Sequence, residues 1–217
     1  MSAEDDPLRL AAETMRAVRE RCVWSQRITH RDLVPYLIEE SHEVIDAVEN
    51  GTRADLREEL GDLLWQVLFH SAIAAQDPDD PFDVDDVART LTEKMVRRHP
   101  HVFADEVATT PEEVLVHWNA AKAAEKRTRR SVLDGVPRGM PALSLAQKLT
   151  SRAAAVGVDV PNVGGADAPV PASEAELGEA LLGLVATARS RGWDAERALR
   201  EQLRMLENNV RDAEAGS

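Results

Sequence analysis

The chain has 217 residues, 43% hydrophobic and 30% charged, enough for one ordinary globular domain or two small ones without covalent staples. Its only cysteine, Cys22, excludes a disulfide framework, a cysteine-ligated zinc and an iron–sulfur cluster. Asp and Glu total 39 against 26 Lys and Arg, a net charge of −13, which repels a nucleic-acid backbone but not a small anion held by local cations and a metal.

The opening Met-Ser-Ala-Glu-Asp-Asp-Pro is acidic and lacks the basic-then-apolar layout of a secretion signal. The most apolar stretch, 63–75, is interrupted by Gln66 and His70 and is too short to span a bilayer. A cytoplasmic protein with no membrane partner is expected. Abundant Ala, Leu, Glu and Arg with few β-branched runs favour helix throughout. Helices are expected over 8–21, 30–49, 53–75, 84–98, 111–128, 141–156, 174–190 and 195–212. The starts carry pairs suited to capping: Thr29 with Asp32, Thr52 with Asp55, Asp83 with Asp86, Thr110 with Glu113, and Ser173 with Glu176. Gly51, Asp77-Pro78, Pro100, Gly157 and Gly192 mark the stops. Residues 159–172, rich in Pro and Gly, read as a linker between a region 1–158 and a hairpin at 173–217. Glu59-Leu60-Gly61-Asp62 is echoed by Glu176-Leu177-Gly178-Glu179, and each segment opens a pair of helices. That order suggests a duplicated unit whose second copy has lost its cations, with Met205, Asn208 and Asn209 where the first has Lys94, Arg97 and Arg98. Two unrelated hairpins would read the same way.

The chemistry concentrates on two helices joined by Asn50-Gly51-Thr52. At about 100° per residue, Glu40 with Glu43 and Glu59 with Asp62 each form a two-carboxylate stripe, and both stripes border an apolar face. The short connection makes the helices antiparallel neighbours, so the stripes can face one another. Such acids are either solvated and paired with surface cations, or gathered around a hard divalent ion that relieves their repulsion. Oxygen-only ligands suit Mg²⁺ or Mn²⁺ better than zinc. Downstream, Lys94 and Arg98 share a helical face with Arg97 beside them, and Lys122 follows Trp118 by one turn. Apart from a metal these are ordinary surface charges; with one, they neutralise a polyphosphate. His99 and His101 flank Pro100 and read as helix-end packing, and Trp65 and Trp193 as core. Cys22 and the serines lack a nucleophile-elbow context, so a covalent hydrolase is not expected.

Several segments together resemble the MazG family of nucleoside triphosphate pyrophosphohydrolases. They are Thr29-His30, the run Leu33 to Glu40 with Glu43-Val44, Asp55 to Leu64 with Gln66-Val67, Arg97 to Phe103, Trp118 with Lys122, Leu133 to Pro137, and Pro141 to Leu143 leading to Ala146-Gln147-Lys148-Leu149. The match runs in order over residues 8–158 and includes two adjacent Glu, a third Glu three positions on, and Glu-x-x-Asp.

The resemblance implies an all-α antiparallel helical bundle with a degenerate second unit at the C-terminus, Mg²⁺ dependence, a homodimer, and cleavage of NTPs or dNTPs to monophosphate and pyrophosphate. It implies Glu40, Glu43, Glu59 and Asp62 as metal ligands, and Lys94, Arg97, Arg98 and Lys122 at the phosphates. Trp118 would sit against the nucleotide, and Glu39 would orient or deprotonate the attacking water. A house-cleaning role in the nucleotide pool follows at family level. Related all-α enzymes acting on phosphoribosyl-ATP or dUTP, and a silent regulatory module, are the alternatives. The chain departs from the family at Arg21 to Ser25, where Pro and Asp usually accompany the Trp, and at the missing cations of the second unit.

Overall fold

A computed structural model describes residues 6–125, 131–158, 160 and 170–215. These form nine α-helices, one short 3-10 turn at Ser25–Arg27 and, among the described residues, no strand. The fold is all-α. The chain packs as two compact units, Met1–Glu125 and Lys126–Ser217. The linker expected at 159–172 lies almost wholly outside the described residues.

The first unit holds six helices: α1 (Pro7–Arg21), α2 (Val34–Asn50), α3 (Arg53–Ala74), α4 (Val84–Arg98), α5 (Pro100–Phe103) and α6 (Pro111–Ala124). Asp6 caps α1 by accepting from the Leu8 amide, with Pro7 at the first helical position. α2 begins at Val34, later than the 30 expected, because Thr29 and Asp32 close a turn instead of a helix. Pro35 fixes the reason: it donates no amide hydrogen and disfavours helical backbone before it, so the α-helix starts only where its ring fits the first turn.

Thr52 and Asp55 form a reciprocal capping box at the start of α3, with the Asp55 carboxylate accepting from the Thr52 amide at 2.7 Å. Asp83 and Asp86 do the same for α4. At α6 Thr110 accepts from the Glu113 amide as expected, and only the return bond is shifted by one residue, with Glu113 reaching back to the Thr109 amide at 2.6 Å. The four-residue helix α5 was absent from the expected elements; Pro100 starts it immediately after α4 ends. α6 ends at Ala124 with Glu125 as its C-cap, short of the 128 expected; 126–128 lie outside the described residues.

Met15, Leu33, Leu68 and Phe69 form the core of this unit, with Trp65 and Ile28 packed against it. A buried arginine braces the connection between α1 and α2. Arg19 donates to the carbonyls of Ser25 and Ile28 and to the Gln76 side chain at 2.9 Å, and burial pulls its pKa down from the ordinary value. His30, in the turn before α2, stacks on His70 of α3 with ring centroids 5.1 Å apart and Nδ1 atoms at 2.8 Å. One Nδ1 therefore carries the proton and the other accepts it.

The second unit packs α7 (Ala142–Ala154) against α8 (Glu174–Ser190) and α9 (Ala195–Ala215). α7 thus packs with the C-terminal helices, within the unit Lys126–Ser217. Gln147 ties them: its amide donates to the Trp193 carbonyl and accepts from the Ala195 amide. Gly192, at φ 70°, lets the chain turn out of α8. Trp193 is not core as expected. It is 54% exposed and carries Arg191 stacked over its ring, because the turn it occupies faces outward.

Candidate active site

α2 and α3 pack antiparallel across the Gly51 connection, and the pairing brings their acids together. Carboxylate oxygens of Glu40, Glu43 and Glu59 all lie within 4.8 Å of one another. Asp62, one turn further along α3, is outside that triad, but its charge acts on both Glu40 and Glu59. Burial first, then neighbouring acids, pushes the Glu40 carboxyl above the ordinary range, and Glu59 is raised for the same reasons. Gln66, buried on α3, donates to Glu40 Oε1 at 3.3 Å, while its own Oε1 is buried without a partner. Glu39 is exposed on α2, about 100° around the helix from Glu40.

Repelling carboxylates held together at a helix interface, beside an orphaned amide oxygen, fit a hard divalent cation. The donor set is all oxygen, with neither thiolate nor imidazole, and so does not fit a structural zinc.

Lys94, Arg97 and Arg98 lie on α4 and Lys122 on α6, and Arg97 and Arg98 reach across to α6 and its C-cap. Arg98 lies over the Trp118 ring, its Cζ 5.0 Å from the centroid, and His99 packs edge-on to the ring with centroids 5.2 Å apart. His99 caps the end of α4 through the Met95 carbonyl at 2.7 Å, the packing role expected of it. Arg97 and Arg98 both pair with Glu125, which follows α6. Those guanidinium hydrogen bonds hold the Glu125 carboxyl down at about 2. Lys94 is half-buried one turn before Arg98, and Lys122 half-buried one turn after Trp118.

A family model for the MazG nucleotide pyrophosphohydrolase domain matches residues 28–103. An uncharacterized 26.1 kDa protein from Streptomyces cacaoi is 49% identical over 93% of this chain and 80% of its own. The nucleoside triphosphate pyrophosphohydrolase of Escherichia coli strain K12 is 35% identical over 96% of this chain and 86% of its own. The chain belongs to the MazG family. A crystal structure of a mazG-related protein from Thermotoga maritima, 27% identical, covers 52% of this chain and 97% of that one with a TM-score of 0.46. The region matched by the MazG model takes in α2 to α5, with Glu39, Glu40, Glu43, Glu59, Asp62 and Lys94 to Arg98; Trp118, Lys122 and Glu125 lie beyond it.

Two residues beside these candidates carry no role in the sequence alone: Gln66, present within the family resemblance, and Glu125. Gln66 lies one turn after Asp62 and two after Glu59, so the wheel places it on the acidic face. Glu125 continues the Trp118–Lys122 face by another three residues. Both lie at helical spacing from the candidates, but spacing on one helix does not specify what a side chain touches on another.

Proposed function

We propose that this chain hydrolyses nucleoside triphosphates, ribo- or deoxyribo-, to the monophosphate and pyrophosphate. The observation that carries this reading is the gathering of Glu40, Glu43 and Glu59 oxygens within 4.8 Å at the α2–α3 interface, in a chain that bears the whole family motif. Mg²⁺, with Mn²⁺ as substitute, is assigned to Glu40, Glu43, Glu59 and Asp62. A bound divalent ion supplies positive charge to the triphosphate and polarises the phosphorus under attack.

The chain's residues supply position and further charge. The Gln66 amide fixes the orientation of Glu40. Glu39 is assigned to orient the attacking water and to accept its proton on a carboxylate oxygen. Lys94, Arg98 and Lys122, with Arg97 alongside, neutralise the polyphosphate and steady the departing pyrophosphate, and Trp118 lies against the nucleotide. No covalent intermediate is needed. Within 1–158 the work falls to α2, α3, α4 and α6, while 173–217 serves packing or dimerisation after a linker. In support, Glu176, the counterpart of Glu59 in the echo, is used as a helix cap, accepting from the Ala172 amide at 2.8 Å. No helix among the described residues is long and apolar enough to cross a membrane; a cytoplasmic enzyme of the nucleotide pool, without nucleic-acid partners, fits the acidic charge.

The test is a panel of NTPs and dNTPs, with dUTP and phosphoribosyl-ATP included, incubated with the purified chain and Mg²⁺. Equimolar monophosphate and pyrophosphate are expected. Orthophosphate with diphosphate would remove the proposed reaction, and turnover of phosphoribosyl-ATP or dUTP alone would reassign the substrate.

A further inference from the structure

Two consecutive guanidiniums, from Arg97 and Arg98, converge on one carboxylate, and that carboxylate belongs to the protein itself. Arg97 Nε donates to Glu125 Oε1 at 3.0 Å. Arg98 reaches both oxygens, with Nε to Oε1 at 3.3 Å and to Oε2 at 3.2 Å, and Nη2 to Oε2 at 2.5 Å. The Arg98 side chain is only 12% exposed and is backed by Trp118, so its planar fork is oriented before any ligand arrives. The fork that matches a carboxylate also matches a phosphate.

Glu125 is otherwise badly placed. It caps the C-terminal end of α6, where unpaired carbonyls make a negative charge unfavourable. Its arginine partners compensate for that position. A ligand with more negative charge than one carboxylate outcompetes it at the same fork, and a ligand with about as much does not.

We infer that Glu125 is an intramolecular stand-in for phosphate, holding Arg97 and Arg98 until a polyphosphate displaces it. The inference rests on the assignment of these arginines to the phosphates of a nucleotide. Glu125 is then a positioning residue that sets how many charges an anion must carry to bind. It favours triphosphate over monophosphate and weakens the hold on pyrophosphate, which has to leave after each turnover.

The probe is inorganic pyrophosphate, titrated calorimetrically against the wild-type chain, Glu125→Gln and Glu125→Asp, with inorganic phosphate in parallel. Glu125→Gln is expected to bind pyrophosphate about 10-fold tighter, the loss of one charge-assisted competitor. It should also gain measurable affinity for phosphate, while Glu125→Asp stays near wild type. A simple brace between α4 and α6 predicts the opposite sign, because a loosened Arg98 would bind anions less well. Unchanged or weaker pyrophosphate binding by Glu125→Gln overturns the inference. So does a second measurement that needs no variant. In the wild-type chain the arginine Nε–H resonances of Arg97 and Arg98 should shift as pyrophosphate saturates the site, and fixed resonances mean that Glu125 is never displaced. The two readings fail separately. Tighter anion binding without nucleotide turnover leaves the latch and removes the proposed reaction; turnover without tighter binding does the reverse.

Discussion

Glu40 and Glu59 are held where their charges cost the fold something. Burial and neighbouring acids raise both carboxyl pKa values, so the folded chain takes up protons at a higher pH than the unfolded chain does. The stability associated with them is therefore present below the ordinary carboxylate range and is lost as pH rises through the raised values. In metal-free buffer, Glu59→Gln should melt at a higher temperature than wild type at neutral pH, with the difference shrinking as pH falls through the raised folded value and gone below about 4.3, where the unfolded carboxyl is protonated too. Millimolar Mg²⁺ should raise the wild-type midpoint and leave that of Glu59→Gln almost unmoved, a thermal-shift measurement that separates a metal site from a chance cluster. The same substitution, and Asp62→Asn, should abolish pyrophosphate release while the helical circular dichroism persists. Activity retained in both variants would mean that the ligands were misassigned.

At the level of elements, the register of α2 against α3 decides whether those acids meet, and Gly51 sets it. A Cβ at Gly51 would lie 2.7 Å from the Ala47 Cα and 2.8 Å from its carbonyl oxygen, so the constraint is close backbone approach. Gly51→Ala is expected to cost about 1–3 kcal/mol by urea denaturation and to diminish the Mg²⁺-induced thermal shift. Thr52→Ala, which removes the cap beside it, is expected to cost about 1 kcal/mol. It should leave the shift largely intact, because the helix still starts in the same place.

A second tie, His30 to His70, joins the turn before α2 to α3. Burial, with a smaller contribution from His30, lowers the His70 pKa, so the fold requires it neutral. The unfolded chain takes up that proton near pH 6.5. This contribution is therefore full above that pH and drains away as pH falls toward the depressed folded value. Comparing wild type with His70→Asn from pH 7.5 to 5 should show the steeper acid-side loss in wild type. Parallel curves would place the histidines outside the acid response.

For the whole molecule, α3 raises the question of what covers it. Leu60, Leu64 and Val67 recur at helical spacing on this helix, yet are 50%, 36% and 41% exposed in the single chain. Leu64 and Val67 also line a groove of about 400 Å³ with Leu8, Ala12, Val84 and Leu91. A second copy covering this face would account for an apolar stripe that water otherwise meets, and this is the homodimer proposal in testable form. Sedimentation should give twice the chain mass, and Leu64→Glu should give a folded monomer. A wild-type monomer at micromolar concentration would end the dimer proposal.

The helices and most of their ends were legible because each rests on local chemistry: a capping side chain, a proline at the first turn, a glycine past the last. The start of α2 departs from the Thr29–Asp32 signal because Pro35 outweighs that pair, and the four-residue α5 is too short to show a helical period. The acidic stripes were legible for the same reason, since a face shared at i and i+3 is a property of one helix. Glu125 on Arg97 and Arg98, His30 on His70 and the exposure of Trp193 were decided by tertiary structure. The paired residues stand 27, 28 and 40 positions apart, and no helical period links them. The sequence by itself determined which charges this protein carries and on which helical faces; the packing of those helices alone decided which charges meet, because a Coulombic interaction depends on distance in space and not along the chain.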